Sequence, residues 1–228
     1  MQERLVRSEK LAAIGKLAGM MAHEIRNPLG VIRSSIYFLN MKLKESMDEK
    51  VKKHLDILQK EIDASDKIIS DVLTFARIEA PALEEAEINC VVEEALSKAT
   101  IPKTVIVKTD LGERLHKILV DAAQIKQVFS NIILNAVQAM PDGGELKIST
   151  SQTDKFIAVS FKDSGCGIPR ENLDNIFEPL VSTKAKGVGL GLTACQNIIE
   201  GHRGTIEVES EVNKGTTFTI KLPLAQEI

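Results

Sequence analysis

The sequence predicts a two-part chain: an all-α helical hairpin forming a dimeric four-helix bundle, followed by an α+β sandwich. Three observations predict it. Apolar residues step by three or four through the first 80 residues. After residue 85 they alternate by two in several short runs. The two textures meet in a proline-bearing stretch, Glu79-Ala-Pro-Ala-Leu-Glu-Glu. A chain of 228 residues is long enough for two cores of ordinary size.

In the first part, Leu11, Ile14, Ala18, Met21, Ile25, Leu29, Ile32, Ile36, Leu39 and Leu43 keep a helical beat. A second run repeats it through Val51, Leu55, Leu58, Ile62, Ser65, Ile69, Val72 and Ala76. Steps averaging about 3.5 form the seam of a coiled coil or bundle. The polar stretch Lys44 to Glu49 reads as the turn of an antiparallel hairpin. Two helices alone leave much of that seam wet, and burying each large aliphatic is worth roughly 1.5–3 kcal/mol. Pairing with a second copy is the economical solution. Periodicity by itself serves a plain dimerisation stalk equally well.

In the second part, Ile88 to Ala99 reads as a short helix and Thr104 to Lys108 as a strand. Asp121 is placed to cap a helix running from Gln124 to Met140, which Pro141-Asp-Gly-Gly ends. Strands are expected at 145–150 and 156–162, then a glycine-punctuated region from 163 to 191. A helix from about Leu190 to Glu200 leads into strands at 204–209 and 216–222. The predicted divisions are a hairpin over residues 1–80, a linker over 81–86 and a sandwich over 87–228.

Charge and composition exclude several roles. Lys plus Arg number 29 and Asp plus Glu 32, giving a net charge of −3. Up to residue 85 the two signs balance at 14 each, and beyond it 15 stand against 18. Neither part has the basic excess that phosphate-backbone binding needs, so no nucleic-acid partner is expected. Seven Phe, one Tyr and no Trp offer few platforms for base stacking. Three scattered cysteines, Cys90, Cys166 and Cys195, fit neither a disulfide framework nor a zinc site and suit a reducing cytosol. No apolar run approaches the ~18–20 residues that span a bilayer. The expected chain is soluble and cytoplasmic, makes no membrane contact itself, and follows a sensor segment that precedes Met1.

His23-Glu-Ile-Arg-Asn-Pro-Leu29 lies in the middle of the first helix. Taking Met21 as zero and about 100° per residue, Ile25 falls near 40° and His23 near 200°. His23 therefore points away from the seam, and Asn27, one turn on, shares its face. Pro28 removes an N–H and crowds the carbonyl of Glu24, at a cost of ~3 kcal/mol or more in a helix interior. An exposed, largely neutral imidazole beside a carboxylate can act as a nucleophile, with Glu24 taking its proton. An ordinary surface histidine is the alternative, and no second His or Cys stands at metal-ligand spacing.

Asp163-Ser-Gly165-Cys-Gly167 follows a predicted strand. A carboxylate there can accept from an exocyclic amine, while the glycines let a ligand ring approach the backbone. Gly187-Val-Gly189-Leu-Gly191 precedes a helix whose first amides can hold a phosphate chain, with Lys184 just upstream. Asn131 and Asn135 share one helix face, where amides can meet phosphate oxygens and a hydrated Mg²⁺. Solvated turns and bracing asparagines are the competing readings. The spacing is neither GxGxxG nor GxxxxGK[ST].

In this order, the features resemble the catalytic core of bacterial sensor histidine kinases along essentially the whole chain. His23 to Leu29 looks like the H box, and Asn131-Ile-Ile-Leu-Asn135 like the N box. Asp163 to Gly167 resembles the first glycine box, Phe177-Glu-Pro-Leu180 the F box and Gly187 to Leu192 the second glycine box. Lys214-Gly-Thr-Thr-Phe218 matches the closing strand motif. The resemblance implies ATP and Mg²⁺ as cofactors, His23 as phosphoacceptor and Glu24 as acid–base partner. It also implies that Asn27 positions water for dephosphorylating a partner. Asp163 would recognise adenine, Asn135 would hold Mg²⁺, and Asn131, Gly165, Gly167, Lys184, Gly187, Gly189 and Gly191 would line the nucleotide. The implied partners are a second copy of the chain and the receiver domain of a response regulator. Gln138 stands where relatives often carry Lys. The gyrase, chaperone and mismatch-repair ATPases share the ATP fold but place a Glu where Asn131 stands, which argues for phosphate passing to His23 rather than to water. A non-enzymatic dimeric adaptor is the third reading, and no broken motif favours it.

Overall fold

The computed structural model describes residues 25–43, 48–76, 80–179 and 189–224, which fall into two compact units. The first unit is helical. Helix α1 is described over residues 25–43, and α2 spans Glu49–Ala76. Ile36, Leu55 and Ile62 are buried together with Leu29 against them, so every second or third seam position closes the hairpin on itself. Arg33 of α1 bridges to α2 by pairing with Asp63 at 2.9 Å and Asp66 at 2.5 Å. Ile69 further along α2 is buried as well, but other seam residues do not find cover within the hairpin. Ile25, Ile32, Leu39, Leu43, Val51 and Leu58 stay 37–47% exposed. Helical geometry runs through Pro28 without interruption. The carbonyl that its missing N–H would have met belongs to Glu24, which lies outside the described residues.

In the second unit the strands form a five-stranded sheet and a two-stranded ribbon. The ribbon pairs β1 (Glu84–Ala86) with β3 (Ile118–Val120), antiparallel, with Glu84 opposite Val120. The larger sheet has the order β2-β4-β5-β7-β6, built from Val105–Leu111, Gly144–Gln152, Phe156–Asp163, Gly215–Pro223 and Thr205–Glu211 respectively. Only β2 and β4 run parallel. Helices α3 (Ile88–Lys98), α4 (Ala122–Ala139) and α6 (Gly191–Gly201) complete the sandwich with α4 in the middle, packed against both of the others and against β5 and β7. A single turn, α5 (Arg170–Leu173), follows β5.

Alternation determines which strand residues enter the core. On β5, Ile157, Val159 and Phe161 are buried at every second position, and on β7 Phe218, Ile220 and Leu222 oppose them. On α4 the stripe is Ile125, Val128, Phe129, Ile132, Ile133 and Ala136, at steps of three and four. The Phe129 and Phe161 rings meet at 5.3 Å between centroids, joining helix to sheet.

Most expected elements appear within a few residues of their predicted limits. Three short ones were not read from the sequence: β1, β3 and α5. Residues 84–86, expected as linker, are strand and belong to the second unit. Two exposed glutamates and one alanine carry no alternating signal, and what holds them is the partner strand, whose Ile118 and Val120 are buried. Replacing Phe161 by Ala removes a fully buried ring and its partner contact. It should destabilise the sandwich by about 3–5 kcal/mol, visible as a lower urea midpoint; an unchanged midpoint would contradict this core assignment.

Candidate nucleotide site

The inward alternation of β5 continues one step past Phe161 and delivers a carboxylate. Asp163 occupies the next core-facing position and is only 3% exposed. A buried carboxylate must find donors. Its Oδ1 accepts from the backbone N–H of Gly165 at 2.8 Å and of Thr216 at 3.2 Å. The side chain thereby ties the end of β5 to the start of β7 and shapes the loop between β5 and α5.

The glycines around it are required by backbone crowding. A Cβ on Gly165 would stand 2.6 Å from the Ala139 carbonyl oxygen, and one on Gly215 would stand 2.0 Å from the Asp163 oxygen. Gly167 has φ +70°, and its Cβ would fall 2.1 Å from the Glu211 carbonyl oxygen. What comes close to these α-carbons in the structure is the protein's own main chain. The Cys166 N–H donates to Ala139 O at 3.1 Å and so lays the loop on the C-terminal end of α4.

Asn131 and Asn135 sit on α4, off its buried stripe and half-buried. The Asn131 amide donates to Cys195 Sγ of α6 at 3.4 Å. At the start of α6, a Cβ on Gly191 would stand 2.7 Å from Asn131 Nδ2. Leu190 at the N-cap of α6 makes no side-chain capping bond to the first-turn amides. The F-box residue Phe177 is tied in from behind, its carbonyl accepting from Thr193 Oγ1 at 2.9 Å.

The second unit therefore gathers Asp163, Gly165 and Gly167 from one loop, Asn131 and Asn135 from α4, and Gly189 and Gly191 from the start of α6. Asn27 belongs to the first unit, exposed on α1. His23, Glu24, Lys184 and Gly187 lie outside the described residues. Thr216 and Gly215, which hold and crowd Asp163, escaped sequence reasoning as site residues. Their signal was present in Lys214-Gly-Thr-Thr-Phe218, read only as a strand. Among the described residues, no group of three His, Cys, Asp or Glu side chains converges on a metal position. A hard cation at this site would draw on amide oxygen, phosphate and water, which is a set that fits Mg²⁺. No helix among the described residues is long and apolar enough to cross a membrane.

This geometry can be set against known proteins. Residues 13–81 match the model of the His Kinase A (phospho-acceptor) domain, and residues 120–226 that of the histidine kinase-, DNA gyrase B- and HSP90-like ATPase. The catalytic domain of histidine kinase ThkA is 31% identical, with 96% of its chain and 63% of this one covered at a TM-score of 0.57. The chain belongs to the protein-histidine kinases. ThkA has also been solved in complex with the response regulator TrrA. That structure aligns over 97% of this kinase chain and 65% of ThkA, at 28% identity and TM-score 0.68. The signal transduction histidine-protein kinase AtoS of Escherichia coli is 37% identical over 98% of this chain, which spans 37% of AtoS. The kinase chain thus covers about a third to a half of the curated relatives it matches.

Within the kinase site, the tight meeting of α6 with α4 gives a direct test. Gly191→Ala should push Asn131 from its place and weaken binding of an ATP analogue at least about tenfold, some 1.4 kcal/mol. Calorimetric titration measures it, and wild-type affinity would refute the assigned contact.

Proposed function

We propose that the chain is the core of a two-component sensor histidine kinase, which uses ATP to phosphorylate His23 and passes the phosphoryl group to an aspartate on the receiver domain of a response regulator. The observation that carries this reading is the buried Asp163, held by backbone donors of a glycine loop that rests on the end of α4, the helix whose Asn131 meets the glycine start of α6. It stands in a chain whose other part matches a phospho-acceptor domain. In this reading the hairpin and the ATP domain are the two units, with strand 84–86 already part of the ATP domain and the joint ahead of it.

The roles follow from chemistry. Asp163 accepts a hydrogen bond from the exocyclic amine of adenine, while Gly165 keeps the loop against α4 and Gly167 against the end of β6. The amides near Gly189 and Gly191, with Gly187 and Lys184, take the phosphate oxygens, and Asn131 flanks them. Asn135 would hold Mg²⁺, which supplies charge neutralisation on the phosphates when bound. One imidazole nitrogen of His23 uses its lone pair to form the P–N bond, as the bond from the γ-phosphorus to the β–γ bridging oxygen breaks and ADP leaves. Glu24 receives the proton from the other ring nitrogen. Asn27, exposed on α1 and four residues after His23 in the sequence, orients water for removing phosphate from the regulator.

Two further features support the partners. The half-exposed seam of Ile25, Ile32, Leu39, Val51 and Leu58 suits a second hairpin, giving a homodimer. A relative solved with a response regulator supports that class of partner. Such a reaction belongs in the cytoplasm, where both ATP and the regulator are found. A sensory input and membrane anchoring would reside elsewhere in a longer protein.

Incubation with radiolabelled ATP and Mg²⁺ should yield an acid-labile, alkali-stable phosphoprotein. Equal labelling of His23→Gln would overturn the phosphoacceptor assignment. In Asn27→Ala, autophosphorylation should persist while dephosphorylation of the regulator is lost. Parallel loss of both activities would remove the separate role given to Asn27.

A further inference from the structure

His202 is buried, 5% exposed, and the phosphotransfer reading makes no use of it. It ends α6, and both of its ring nitrogens are engaged. Nδ1 lies 2.7 Å from the Ile198 carbonyl oxygen, which can only accept, so Nδ1 carries the proton. Nε2 lies 2.9 Å from the backbone nitrogen of Asp121, whose N–H can only donate, so Nε2 offers its lone pair. The two partners select one neutral tautomer. Asp121 is the N-cap of α4, its Oδ1 accepting from the N–H groups of Ala123 and Gln124. Its Oδ2 accepts from the N–H of Ala82, just before β1. One ring thus joins the end of α6 to the start of α4, at the residue that also holds the chain entering the second unit.

Helices α4 and α6 touch in antiparallel order. Asp121 meets His202 at one end, Val128 and Asn131 meet Cys195 in the middle, and Asn131 meets Gly191 at the other. The His202 end is about 10 Å from Cys195 and the Gly191 end about 6 Å on the other side, at 1.5 Å per residue. With Cys195 as pivot, a 1 Å shift at His202 swings Gly191 by roughly 0.6 Å. At the Gly191–Asn131 contact a Cβ on Gly191 would fall 2.7 Å from the amide nitrogen, so a movement there displaces the Asn131 side chain.

We propose that His202 is a positioning residue for the nucleotide site: its bond to Asp121 sets the tilt of α6 on α4 and so the spacing between Gly191 and Asn131. This rests on the ATP-site reading and extends it to a residue at the far end of both helices. It also gives the segment at Ala82 a physical route to the site, through Asp121.

Two substitutions separate the two ring bonds. His202→Asn can keep the donor to Ile198 O but loses the acceptor for the Asp121 N–H. His202→Gln can place its carbonyl oxygen at the Nε2 position, keeping the bond to Asp121 and losing the one to Ile198. Titration of the full chain with Mg²⁺ and AMPPNP should give a dissociation constant at least fivefold weaker for Asn and within twofold of wild type for Gln. Thermal midpoints without nucleotide serve as the reference for stability. Equal affinities in all three chains, or losses in both variants that track their midpoints, would overturn the proposal. In the unsubstituted chain, AMPPNP should slow hydrogen exchange at the Asp121 amide, and unchanged exchange would count against it. Failure of the unsubstituted chain to bind AMPPNP would instead refute the ATP-site reading itself.

Discussion

A carboxylate placed where strand alternation calls for an apolar side chain is the constraint around which the second unit is arranged. Asp163 follows Ile157, Val159 and Phe161 into the interior and stays there because two backbone N–H groups meet its Oδ1. Leaving such a group buried without donors would cost several kcal/mol, so the loop that supplies them is not free to vary. Gly165 must lie against Ala139, Gly167 must turn with positive φ against Glu211, and Gly215 must pass over the Asp163 carbonyl. Each glycine is a consequence of holding one charge at one strand end.

From that point the site grows by contact. The loop rests on the end of α4, α4 carries the two asparagines, and the first residue of α6 fits against the first of them. His202 closes the far end of the same pair of helices. The hairpin obeys a different rule. Its apolar seam is too wide for two helices, so Ile36, Leu55 and Ile62 are buried while their neighbours along the seam stay half-exposed. In the first unit burial is left incomplete, which suits a surface that binds a partner. The second unit instead closes a continuous core between its helices and sheet, which suits a site that must hold atoms in place.

Much of this was legible in the sequence, for identifiable reasons. Long periodic runs, such as Ile125 to Ala136 and Leu29 to Leu43, revealed their helices because burial imposes a period that survives in residue type. Asp163, Asn131 and Gly191 stood out because each breaks a pattern or begins an element. The strand at 84–86 was hidden because its order comes from Ile118 and Val120, more than thirty residues away. The role of Thr216 was hidden because it acts through its main-chain N–H, which every residue other than proline has. For Gly165 and Gly167, residue type indicates that space is needed, and the fold identifies the main-chain atoms of Ala139 and Glu211 that take it.

In the role proposed for it, Asp163 accepts from an exocyclic amine, which adenine presents and guanine replaces at that position with a carbonyl oxygen. Calorimetric titration of the chain with AMPPNP and with GMPPNP, each in Mg²⁺, tests this directly. The adenine nucleotide should bind, and the guanine nucleotide at least a hundredfold more weakly, the roughly 2.7 kcal/mol expected when a buried acceptor meets an acceptor. Equal affinity for the two would contradict it.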